Sequence, residues 1–185
     1  GIDFFIALCL LASRMGKRVY LLGGGDESMM KQAADNLHVL FPQLAIIGYT
    51  TGPLIRQESS GGSGKILPDE YRNGVVIGDI LSAKPEILFV GFGHGKQEKW
   101  IHEYVKEMPS VKIAMGVGGV FDIVSGRIRR APKWMRAAGL EWFWRLLQEP
   151  GRIKRIWKAT GKFLFLVFFC HSDRSDPKKR SGGIP

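Results

Sequence analysis

Between Asp3 and Gly16 the chain reads DFFIALCLLASRMG. Apolar residues cover every face of a helix there, and a glycine stands where the helix should stop. KRVYLLGGG follows, a short apolar run entering glycines, which is the pattern of a buried strand. DESMMKQAADNLHVLF returns to helical spacing with Asp26 as its N-cap, and LAIIGY is the next apolar run. Strand, helix and strand in this alternation predict a parallel α/β sheet. Residues 50–65, TTGPLIRQESSGGSGK, predict a flexible Gly/Ser-rich surface loop. PDEYRNGVVIGDILSAK predicts a helix weakened by Gly74 and Gly78, each costing about 1 kcal/mol relative to Ala. PEILFVGFG is a strand, KQEKWIHEYVKEM a helix and VKIAMGVGG a further strand.

Each predicted strand ends in glycines, and open α/β sheets bind ligands outside the carboxyl ends of their strands. After Arg127 the pattern changes to basic, Trp-rich helices. The expected organisation is a Rossmann-like, mostly parallel α/β core over residues 1–130, a helical appendage over 131–170 and a disordered tail over 171–185. The tail, HSDRSDPKKRSGGIP, has no apolar periodicity. No internal repeat is evident.

Charge changes the picture more than composition does. The chain of 185 residues carries a net charge of +10, concentrated after Lys96 and most densely between Arg127 and Lys162. That balance favours polyanionic partners: nucleic acid, an anionic membrane face or phosphorylated substrates. Cys9 and Cys170, far apart in apolar contexts, read as thiols of a reducing compartment. No signal peptide is visible, and the longest apolar run, Phe163 to Cys170, is far short of the roughly 20 residues that span a bilayer. The absence of an initiator Met reads as a start inside a longer protein.

Four stretches offer chemistry. GGGDES, from Gly23 to Ser28, could cradle a phosphate on backbone N–H groups at a helix N-terminus. Ser28 stands where the dinucleotide fingerprint needs its third glycine, so an oxidoreductase is disfavoured and a plain tight turn is the better reading. GFGHGKQEKW strips side chains from a loop at Gly91, Gly93 and Gly95, and then offers Gln97, which can donate to and accept from a sugar hydroxyl or a uracil edge. His94 reads as simply exposed, and Glu98 as an offset to the helix dipole. GVGGVFDIVSG sets Gly118 and Gly119 before Asp122, which falls in an apolar register. Asp122 caps a helix or binds nearby N–H groups ahead of any catalytic part. Lastly, Arg127, Arg129, Arg130, Lys133 and Arg136 form a cationic series interleaved with Trp134, Trp142, Trp144 and Trp157. Arginine forks suit phosphate. Tryptophans among cations suit a bilayer surface or stacked bases. With no nucleic-acid module present, and FLFLVFFC following, membrane contact through Trp134, Trp142, Trp157 and Phe163 is the preferred reading.

Through GFGHGKQEKW, GVGGVFDIVSGRIRRAPKWMRAAGLEW and RLLQEPGRIKR, and more weakly through GID and GKRVYLLGG, the chain resembles the WecG/TagA/CpsF glycosyltransferases from Gly1 to about Trp157. The resemblance implies an inverting, metal-independent enzyme without a cofactor. Such an enzyme moves an N-acetylmannosamine-type sugar from a UDP donor to polyprenyl-diphosphate-linked N-acetylglucosamine, for teichoic acid, enterobacterial common antigen or capsule. It implies a nucleotide-sugar pocket at Gly23, Gly24, Gly91, Gly93, Gln97, Gly118 and Gly119, and diphosphate binding by Arg127, Arg129, Arg130, Arg136, Arg145 and Arg152. It further implies a peripheral position on the inner face of the bacterial plasma membrane. Gly95 and His94 depart from the family pattern, which usually has a proline and a small residue there. The family's catalytic base, an aspartate, and a nearby hydroxyl residue belong to sequence preceding Gly1, leaving Asp122 as the one internal substitute considered. The competing class is a non-catalytic basic module binding an anionic membrane or nucleic acid.

Overall fold

The structure, a computed structural model, describes residues 1–57 and 66–148, without the side chains of Trp142 and Arg145. Two compact units divide it, Gly1–Arg129 and Arg130 onward.

In the first unit, helix α1 (Ile2–Arg14) precedes strand β1 (Arg18–Gly23), helix α2 (Glu27–Leu40) and strand β2 (Ala45–Thr51). Strands β3 (Ile55–Gln57) and β4 (Ile66–Pro68) lead to helix α3 (Glu70–Ala83), strand β5 (Ile87–Gly91) and helix α4 (Lys96–Tyr104). A 3₁₀ turn (Val105–Glu107), strand β6 (Ile113–Gly116) and helix α5 (Val120–Val124) complete it. The main sheet runs β2-β1-β5-β6 and every neighbouring pair is parallel. This is the Rossmann-like α/β arrangement the alternation predicts. The chain leaves β1 for β2 on one side and later returns to β5 on the other, so the order of winding reverses between β1 and β5.

Strand periodicity of two divides the core. Val19, Leu21, Ile87 and Phe89 face one layer with Phe5, Cys9, Met30, Leu37 and Phe121. Tyr20, Leu22, Leu88 and Val90 face the other with Ile55, Ile66, Ile80 and Trp100. Within the first layer the Phe5 ring meets Phe89 edge-on at 4.6 Å. Burial holds the Cys9 thiol up at about 12, so it is protonated and unreactive at neutral pH.

The helix ends follow the sequence signals. At α1, Lys17 N–H reaches the Ala12 carbonyl (2.9 Å) and Gly16 N–H the Ser13 carbonyl (3.4 Å), with Gly16 at φ +60°. That double closure requires a left-handed residue, and glycine adopts it without a Cβ penalty. Asp26 caps α2 by accepting from Met29 N–H at 2.8 Å. The α3 helix forms despite Gly74 and Gly78: Asp69 caps it through Arg72 N–H at 3.0 Å, and Val76, Ile77 and Ile80 are buried along one face.

One expectation is corrected. Residues 50–57 are not wholly loop: Thr50 and Thr51 extend β2, and Ile55–Gln57 pair antiparallel with Ile66–Pro68. Burial of Ile55 and Ile66 in the second core layer stabilises this hairpin. Residues 58–65, the rest of the predicted flexible loop, lie outside the described residues.

The second unit contains helices α6 (Lys133–Ala137) and α7 (Glu141–Gln148). Gly139 ends α6 with the same double closure: its N–H reaches the Arg136 carbonyl (3.1 Å) and Leu140 N–H the Met135 carbonyl (2.8 Å). Trp134, Phe143 and Leu147 are exposed. Among the described residues no helix is long and apolar enough to cross a membrane. The tail over 171–185 lies outside the described residues.

Candidate functional site

A cleft of about 380 Å³ opens at the carboxyl ends of β1, β2 and β5, beside the reversal between β1 and β5. Its size is that of a small-molecule site. Gly24 and Gly25 line it from the β1 loop, Thr51, Gly52, Pro53, Leu54 and Ile55 from the β2 loop, and Phe92 and Lys96 from the β5 loop, with Arg72 of α3.

Backbone bonds beyond the strand ends fix this floor. Gly24 N–H donates to the Gly91 carbonyl at 3.0 Å, and Gly52 N–H to the Gly23 carbonyl at 2.7 Å. A Cβ on Gly24 would stand 3.2 Å from that same Gly91 oxygen, and one on Gly52 would overlap the Phe92 ring. The β1 loop therefore resembles the tight turn of the sequence analysis more than an open cradle, because the Gly24 amide is already spent. The N-terminus of α2 is taken as well. Asp26 holds it, and its carboxyl is kept below the ordinary range first by the Met29 amide, then by the Ser28 hydroxyl and Arg127. A carboxylate there repels an incoming phosphate.

The remaining predicted pocket glycines divide by what surrounds them. Gly23 is buried, and a Cβ on it would meet the Met30 sulfur. At Gly91 a Cβ would come within 2.7 Å of the Phe121 ring. Gly93 and Gly95 have open space around them, and at φ +82° Gly95 begins α4 in a conformation suited to glycine. Gly118 and Gly119 follow β6 and lead into α5.

Gln97 is buried and works within the chain. Its Oε1 accepts from Gly118 N–H at 2.8 Å, and its Nε2 donates to Glu98 Oε1 at 2.9 Å. Glu98 also accepts from Gly95 N–H at 2.7 Å, closing the first turn of α4. Burial raises the Glu98 carboxyl, but hydrogen bonds from Gln97 and the backbone, with His94 nearby, outweigh it and leave it below its ordinary value. Gln97 thus ties the β5 and β6 loops together. His94 is fully exposed, 3.8 Å from Glu98. Asp122 is half-buried in the first turn of α5, where its backbone carbonyl accepts from Ile128 N–H at 2.9 Å.

The arginine series is spread along the chain. Arg127 pairs with Asp26 at 3.0 Å, both half-exposed. The two line a separate, larger hollow of about 560 Å³ with Lys31, Asp35 and Ser125. There Lys31 pairs with Asp35 at 2.8 Å, so its cations already face carboxylates and it suits an anion poorly. Size alone does not choose between the two hollows. Arg129 is exposed at the end of the first unit. Arg130 and Arg136 are half-buried in the second. Arg145 sits on α7, and Arg152, Trp157 and Phe163 lie outside the described residues. Among the described residues no group of His, Cys, Asp and Glu is arranged to hold a metal ion.

Sequence reasoning passed over two cations of the first cleft. Arg72 Nη2 donates to Thr51 Oγ1 at 2.6 Å, and Lys96 Nζ donates to the Ile55 carbonyl at 2.7 Å. Both belong to the first turn of a helix, where the macrodipole disfavours positive charge. That mismatch was the available signal.

Comparison with known proteins places these features in context. The family model described as glycosyl transferase WecG/TagA/CpsF matches residues 1–177. Over 156 residues, 84% of this chain, it is 33% identical to an N-acetylglucosaminyldiphosphoundecaprenol N-acetyl-beta-D-mannosaminyltransferase of Bacillus subtilis strain 168. It is 31% identical over the same length to a protein of that name from Bacillus spizizenii. The alignment covers 54% of each relative, so the chain spans about half their length.

Proposed function

The chain belongs to the WecG/TagA/CpsF glycosyl transferase family, and on that premise we propose that it binds the nucleotide-sugar donor of an N-acetylmannosaminyltransferase. The donor is a UDP sugar. The acceptor is N-acetylglucosamine linked through a diphosphate to a polyprenyl lipid, the class of acceptor that the relatives' names print. The observation that carries this reading is the cleft at the β1–β5 reversal, lined by Gly24, Gly25 and Gly52, the Phe92 ring and the cations Arg72 and Lys96. A uridine diphosphate needs those three elements: close backbone approach, a flat apolar contact and positive charge.

Gly24 lines the cleft, Gly23 and Gly91 let Met30 and Phe121 pack against the strand ends, and Gln97 holds Gly118 and so ties the β5 and β6 loops together. Breaking the sugar–phosphate bond places negative charge on the departing diphosphate, and fixed cations stabilise that charge as it develops. No metal or other cofactor is assigned to this step. Arg129, Arg130, Arg136, Arg145 and Arg152 serve the diphosphate of the lipid carrier, whereas Arg127 is held by Asp26, and Trp134, Trp142, Trp157 and Phe163 contact the inner face of the plasma membrane. No catalytic base is assigned within the chain.

Calorimetric titration with UDP and UDP-N-acetylmannosamine, with ATP and NAD as controls, tests the donor reading. Selective uptake of the two uridine compounds is expected. Equal, steeply salt-dependent affinity for all four would instead indicate a general polyanion binder.

A further inference from the structure

From the cleft's own geometry we infer a diphosphate subsite formed by Arg72 and Lys96, two residues outside the arginine series. The inference rests on the cleft being a nucleotide-diphosphate site and assigns the atoms that meet the diphosphate.

Three observations converge on it. First, two backbone donors of the cleft and the start of α2 are committed elsewhere. Gly24 N–H bonds to Gly91, Gly52 N–H bonds to Gly23, and Asp26 occupies the start of α2. With those donors taken, formal positive charge for a ligand in this cleft comes from side chains.

Second, Arg72 and Lys96 are the charged side chains lining the cleft, and no carboxylate lines it with them. Their partners here are neutral, the Thr51 hydroxyl and the Ile55 peptide carbonyl. Arg127 and Lys31, by contrast, are spent on Asp26 and Asp35. Hydrogen bonds to an ionised acceptor are shorter and roughly twice as strong as those between neutral groups. Phosphate oxygens can thus displace a hydroxyl and a carbonyl from these cations, but compete poorly for ones already bound to carboxylates.

Third, both cations stand at helix starts, where the dipole also favours an anion. Each cation stands in a first helical turn, Arg72 two residues into α3 and Lys96 at the first position of α4, against the helix dipole. An anion held by both adds to the offset that the Asp69 and Glu98 carboxylates already supply at these helix starts. Before it binds, the two side chains brace the segment from Thr51 to Ile55. Anion binding draws them inward, so the same contacts couple occupancy of the cleft to that segment.

The experiment is calorimetric titration with inorganic pyrophosphate and, separately, with UDP and ADP. It uses the chain as it stands, Arg72→Gln and Lys96→Met, with Lys96→Arg as the conservative control. Each neutral substitution is expected to weaken pyrophosphate binding about tenfold or more at an unchanged melting temperature, and Lys96→Arg to retain it. Unchanged pyrophosphate affinity in both neutral variants overturns the inference even if UDP binds well. Absence of pyrophosphate binding to the unsubstituted chain overturns it too. If UDP binds no better than ADP while pyrophosphate is lost in the variants, the subsite stands and the uridine reading falls.

Should a variant melt early, amide exchange on the unsubstituted chain decides. Slowed exchange at Thr51–Ile55 on adding pyrophosphate supports the subsite. Slowing at Ser125–Arg127 alone overturns it.

Discussion

Gly91 stands where two demands meet. As the last residue of β5 its carbonyl anchors Gly24, and the missing side chain makes room for Phe121, which is buried beside Phe5. An alanine Cβ there would lie 2.7 Å from the Phe121 ring and 3.1 Å from the Gly118 carbonyl. The backbone on one side and a fully packed ring on the other cannot both yield. Gly91→Ala is therefore expected to destabilise the fold by about 1–3 kcal/mol, the usual cost of overpacking. Urea unfolding measures this, and a cost below about 0.5 kcal/mol would mean that Phe121 has room to move. Gly116 follows the same logic, since a Cβ there would strike the Gln97 side chain. Strand-end glycines were legible in the sequence. Which of them serve packing and which serve a ligand was not, because that depends on Phe121, Met30 and Gln97 arriving from other elements. Arg72 was hidden for a similar reason: only the fold brings α3 to the end of β2.

At the scale of elements, helix starts carry much of the local specification. Asp26 closes α2 and Glu98 closes α4, and both carboxyls are held below their ordinary values by the hydrogen bonds they accept. A carboxyl that is more acidic in the folded chain contributes stability that is complete above its unfolded value, about pH 4, and is lost as pH falls through the folded value. The melting temperature is accordingly expected to drop between about pH 5 and pH 3. That drop should be shallower in Glu98→Gln, as differential scanning calorimetry at stepped pH can establish. An equal slope in the variant would remove Glu98 from the account. Capping residues, glycine stops and apolar periods made α1, α2 and α4 readable in advance. The β3–β4 hairpin was not readable, because Ile55 and Ile66 are separated by a polar stretch and three-residue strands carry little periodicity.

For the whole molecule, the net charge of +10 and the exposed Trp134, Phe143 and Leu147 fit the proposed contact with an anionic, partly apolar surface. Vesicles containing phosphatidylglycerol should retain the chain in a flotation assay and release it as salt rises. Equal retention by neutral vesicles would show that the cations contribute little. The central claim concerns the first unit alone: a uridine diphosphate binds at the β1–β5 reversal. Hydrogen exchange read by mass spectrometry, with and without saturating UDP, tests it most directly. The account predicts slowed exchange at residues 23–25, 51–55 and 91–97. Slowing confined to α2 and residues 125–128, beside the Asp26–Arg127 pair, would contradict it.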